Sequence, residues 1–107
     1  METGNGNDHG EATTKMLAFE SGGIVVQVEY KVKYARQHIA EAVEARDNLK
    51  KTRSINKTGA AAVFLSEALV SFEDGGKSIP VTLESLQMQS LYLLGTIVNR
   101  IEKDLIL

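Results

Sequence analysis

Residues 14–34 read TKMLAFESGGIVVQVEYKVKY, and what they form decides the fold. Two periodicities compete there. If Gly22-Gly23 is a two-residue hairpin turn, which glycine permits because the favoured turns need positive φ, the register pairs Phe19 with Val26, Leu17 with Val28 and Lys15 with Tyr30. One face is then apolar. The other face carries Glu20 with Val25, Ala18 with Gln27, Met16 with Glu29 and Thr14 with Lys31, a mostly polar set suited to a one-sided sheet. The rival reading is a helix, because Val25, Val28, Val32, Ala35, Ile39, Ala42 and Leu49 follow a three-four spacing interrupted by Arg46. β-branched crowding from Ile24 to Val32 favours the pleated form, and a helix would strand Tyr30 and Tyr34 outside the seam. Whether residues 24–34 are strand or helix stays open at this level.

Working outward, the composition after Tyr34 turns to Ala, Glu, Arg and Gln, and a helix from about Ala35 to Lys51 follows under either reading. Lys50 to Thr58 reads as a connector, with Thr58 as N-cap of a second helix to about Phe72. Its stripe is Ala61, Phe64, Leu65, Ala68, Leu69 and Phe72, and Glu73-Asp74-Gly75-Gly76 ends it. Thr82 then caps a third helix, with Val81 and Leu86 spaced as a hydrophobic staple. No breaker follows, so this helix is expected to run from about Leu83 to Ile106, roughly 35 Å at 1.5 Å per residue.

That third helix carries a seam of Leu91, Leu94, Val98, Ile101 and Leu105, and a second apolar row of Leu86, Leu93 and Ile97. Two rows need two partners. A homo-oligomer packed through the seam is therefore expected, and a close helix crossing would justify Gly95 in mid-helix. The expected fold class is mainly α within α+β: an N-terminal β-hairpin or extended first helix, then a three-helix arrangement with a long C-terminal helix. Residues 1–13, rich in Gly and Asn and without apolar periodicity, read as a disordered tail, and residues 14–107 as one domain.

The whole chain has 107 residues, 12 Lys and Arg against 14 Asp and Glu, 43% hydrophobic residues and no Cys. Disulfides, thiol catalysis and thiolate metal sites are thereby excluded. The first residues carry Glu2, Asp8 and Glu11 where a secretory signal would be basic, and the longest uncharged run, Ser85 to Asn99, is too short and polar to cross a bilayer. A cytoplasmic protein without a membrane partner is expected.

Chemistry-bearing motifs are few. Gly75-Gly76-Lys77-Ser78 ends like a phosphate-binding loop, but Ser71 stands where the motif demands Gly and Pro80 interrupts the helix that should follow, so it reads as an interhelical turn. His38, Glu41 and Glu44 are spaced by three, yet metal sites in bundles use Glu before His on paired helices, so a solvated face is expected. With His9 in the tail as the remaining histidine, no zinc site or nucleophile-histidine pair can be assembled. No enzyme, metal or cofactor is expected.

Charge is unevenly shared. Residues 27–57 are net basic and the remainder net acidic, and Lys50, Lys51, Arg53 and Lys57 run without an intervening acid before a helix N-terminus. They are the candidate anion or partner site. Two functions fit. The first is a small non-enzymatic interaction or regulatory protein that binds another macromolecule, a protein before a nucleic acid. The second is a DNA-binding regulator: the order strand, helix, basic loop, helix from Ile24 to Phe72 resembles the ribbon-helix-helix arrangement, which would make Gln27, Glu29, Lys31 and Lys33 the reading face.

Overall fold

The chain takes the hairpin. A computed structural model describes residues 13–52 and 55–106, and the side chains of all these except 45–60; the tail expected through residue 13 lies outside them but for Thr13. Strands β1 (Thr14–Ser21) and β2 (Ile24–Lys31) pair antiparallel in the expected register, from Ser21 opposite Ile24 to Thr14 opposite Lys31. Gly22 and Gly23 hold φ of 62° and 82°, as the turn requires.

β2 passes without a loop into helix α1 (Val32–Thr52), whose first free N–H, on Val32, donates to Thr13 O at 3.0 Å. Helix α2 (Ile55–Ala68) follows, and here the expected three-helix arrangement fails. The chain leaves α2 directly for a strand, β3 (Leu69–Asp74), which turns at Gly75-Gly76 into the short β4 (Lys77–Ser78). The glycines of this second turn have φ of 64° and 83°, matching the first. What read as the end of a helix and an interhelical turn is a second hairpin, so the fold is α+β with a four-stranded antiparallel sheet in the order β1-β2-β3-β4.

The physical cause is a bulge. Val28 pairs with Phe72 and Glu29 with Ser71, but Tyr30 pairs with Leu69, so Val70 is an extra residue in β3. Two inward strand residues are thereby spaced by three, the interval that a helix also gives. The expected unbroken helix to Ile106 is likewise corrected. It divides into α3 (Leu83–Gln87) and α4 (Leu91–Ile106). Thr82 caps α3 as expected, its Oγ1 accepting from Ser85 N at 3.1 Å, and Ser90 caps α4, its Oγ accepting from Leu93 N at 3.1 Å.

Helices cover one face of the sheet. Phe19, Val26, Val28, Tyr30 and Phe72 point into the core from the strands and meet Val32 and Ala35 of α1, Leu65 of α2 and Leu86 of α3. α4 packs against α1, α2 and β1. Arg100 lies over the Phe19 ring at 5.2 Å, and Asp104 accepts a hydrogen bond from the buried Tyr30 hydroxyl while Lys15 Nζ stands 3.7 Å away. Three elements are tied at that carboxylate.

Candidate interaction surface

The seam proposed as an oligomer interface is the chain's own core. Leu94, Val98 and Ile101 are buried, Leu105 is half-buried against them, and of the five Leu91 is exposed. The second row, Leu86, Leu93 and Ile97, is buried as well. Sheet, α1 and α2 together supply the two partners that the double row needs. The side chains of Lys50, Lys51, Arg53 and Lys57 lie outside the described residues.

The ribbon-helix-helix likeness does not extend to its working parts. β2 has β1 on one side and β3 on the other, which leaves it no edge for a second chain's strand. Glu29 accepts from Thr14 Oγ1 at 2.7 Å, Gln27 is half-buried, and Lys33 belongs to α1. The open sheet face carries Glu20, Glu29 and Glu73 beside Lys31, a balance that repels phosphate.

On α1, His38 Nδ1 lies 3.4 Å from Glu41 Oε1, and the ring stacks on Tyr34 with centroids 4.4 Å apart. Phe64 of α2 meets the same tyrosine at 6.0 Å. Burial, then the charges of Glu67 and Glu41, push the Tyr34 hydroxyl above the usual tyrosine range. This is an aromatic contact joining α1 to α2. Among the described residues no three His, Cys, Asp or Glu gather as metal ligands.

The surface that stands out was not singled out in the sequence. Where α3 gives way to α4, Met88 is 81% exposed, Tyr92 75% and Leu91 47%, with Leu83 exposed at the start of α3. Their exposure follows from local constraint. Leu86 on one side and Leu93 and Leu94 on the other are drawn into the core, which turns the intervening residues outward. The corner is rigidly bonded: Met88 N donates to Ser85 O at 3.2 Å, Gln89 N to Leu86 O at 3.0 Å, Gln89 Nε2 to Ser85 O at 3.2 Å and Leu94 N to Ser90 O at 3.1 Å. Between Lys77 and Arg100, Glu84 is the one charged residue. A fixed, nearly charge-free corner with a Met and a Tyr projecting has the composition of the centre of a protein interface. A sequence signal for it existed in Ser90, an N-cap residue inside an otherwise continuous helical pattern.

No protein family model, curated protein or solved structure matches the chain.

Proposed function

We propose that this is a small non-enzymatic interaction protein that acts by binding another protein through the corner formed by Leu83, Met88, Leu91 and Tyr92. The observation that carries the reading is the exposure of Met88 and Tyr92 on a turn held by the hydrogen bonds of Met88, Gln89, Leu93 and Leu94 N–H. A bonded turn has little backbone entropy left to lose on docking, and Met and Tyr are residue types enriched at the centres of protein interfaces. The scarcity of charge there favours a protein over a nucleic acid, since phosphate binding rests on cations. A reducing, cytoplasmic setting and a regulatory role belong to the same reading. Among the described residues no helix is long and apolar enough to cross a membrane.

The test is site-specific photocrosslinking in the native host, with the reactive group at position 88 or 92 and, as a control, at the exposed Glu44 of α1. A discrete adduct is expected from 88 and 92 and not from 44. The double variant Met88→Ala, Tyr92→Ala should lose that partner by tenfold or more in affinity while melting at the wild-type temperature. Identical adducts from all three positions, or undiminished binding by the double variant, would overturn the reading.

A further inference from the structure

The two edges of the sheet are unequal. β4 offers Lys77 and Ser78, and Pro80, with no N–H to donate, closes that edge. A strand this short and a proline beside it are usual guards against pairing with another chain. β1, at the other edge, runs eight residues with no proline and no break in register against β2.

The hairpin fixes which backbone groups β1 leaves over. Ser21 and Ile24 close the two-residue turn as a mutually bonded pair, so Lys15, Leu17 and Phe19 also direct their N–H and C=O groups toward β2. Thr14, Met16, Ala18 and Glu20 direct theirs away. Among the described residues no strand receives them.

We infer that β1 pairs with β1 of a second copy, antiparallel across a two-fold axis, to make one continuous sheet with both helical layers on the same side. The two-fold axis selects the direction: an axis normal to the sheet keeps both inner faces on one side and makes the two edge strands antiparallel. Geometry selects the register. Opposed residues share a face, and the outward-bonding residues must meet each other. Both conditions hold, over nearly the whole strand, when Met16 opposes Ala18 of the partner subunit and Thr14 opposes Glu20 of the partner subunit. Leu17, half-buried at the margin of the core, then lies against Leu17 of the partner subunit on the inner face. This interface is separate from the corner at Met88 and Tyr92.

Sedimentation equilibrium of the full chain at micromolar concentration should return twice the chain mass. Ala18→Pro removes an N–H that no described residue of the same chain accepts and should give a monomer with the wild-type circular dichroism. In case that variant does not fold, a single cysteine reports the register. The chain has none of its own. Leu17→Cys would place two thiols across a non-bonded pair with Cα atoms about 4.5 Å apart, within disulfide reach, and should oxidise to a dimer. Ser78→Cys, on the guarded edge, should not. A monomeric wild type, a folded Ala18→Pro variant that stays dimeric, or equal crosslinking of the two cysteine variants would overturn the inference. The Met88→Ala, Tyr92→Ala variant is expected to remain dimeric. If it dissociates instead, the edge is not the interface, and the corner's partner is a second copy.

Discussion

Gly75 carries two constraints where Gly22 carries one. Both sit at positive φ, 64° and 62°, but a Cβ on Gly75 would lie 3.1 Å from Ile24 Cγ2, whereas one on Gly22 would meet nothing within 4 Å. Gly22→Ala should therefore cost about 1 kcal/mol for the left-handed backbone alone, and Gly75→Ala distinctly more, because Ile24 must also move. Urea midpoints measure the difference, and equal values would count against the contact. Tyr34 gives a prediction in pH. Its folded value is raised, by burial first and then by Glu67 and Glu41, so the folded chain holds the phenolic proton more tightly than the unfolded chain. The stabilisation is complete below the ordinary tyrosine value of about 10 and is lost as pH climbs through the raised one. Tyr34→Phe should flatten the alkaline limb of a stability profile, and an unchanged limb would assign it to other groups. Tyr30→Phe removes the hydroxyl that donates to Asp104 and should cost about 1.5–3 kcal/mol, the range for a hydrogen bond to a charged partner.

Element boundaries explain what could and could not be read from the chain alone. The register of the first hairpin was legible to the residue, because its turn has the needed glycines and the two strands pair without a bulge, although the periodicity of residues 24–34 left strand and helix both open. The second has the same turn in nearly the same words, Phe-Glu-Ser-Gly-Gly at 19–23 and Phe-Glu-Asp-Gly-Gly at 72–76, yet by its spacing it reads as a helix end. Val70 is the reason: the bulge spaces Leu69 and Phe72 by three, and period alone cannot separate that from a helical stripe. The break before α4 rests on one hydroxyl. Ser90→Ala should cost about 1 kcal/mol by leaving the Leu93 N–H without its acceptor, readable as a drop in melting temperature. Met88 and Tyr92 were not legible as a site, because their exposure depends on that break and on which neighbours the core takes up.

For the whole molecule, the burial of the α4 seam changes what a mutation there should do. Were the seam an interface between chains, a charge in it would dissociate an oligomer and leave folded monomers. Ile101 is instead fully buried within the chain, so Ile101→Asp places an unpaired carboxylate in the core at several kcal/mol, against the roughly 5–15 kcal/mol that holds a typical domain together. Circular dichroism should show lost structure at every protein concentration. Retained helicity with a lower molecular mass would return the seam to the surface.

β2 and β3 lie side by side, yet the whole of α1 and α2 intervenes between Lys31 and Leu69. Each hairpin can close by itself on the order of 1–10 μs, because its contacts are local. Their union across Val28 and Phe72 must wait until the helical segment has brought distant parts of the chain together, and it incurs that closure entropy before any packing rewards it. Folding should therefore be timed by the middle of the sheet and not by its turns. Core truncations at Val28 or Phe72 are expected to slow refolding, and alanine at Gly22 to slow it as well while leaving unfolding nearly unchanged, because that turn is already closed when the two hairpins join.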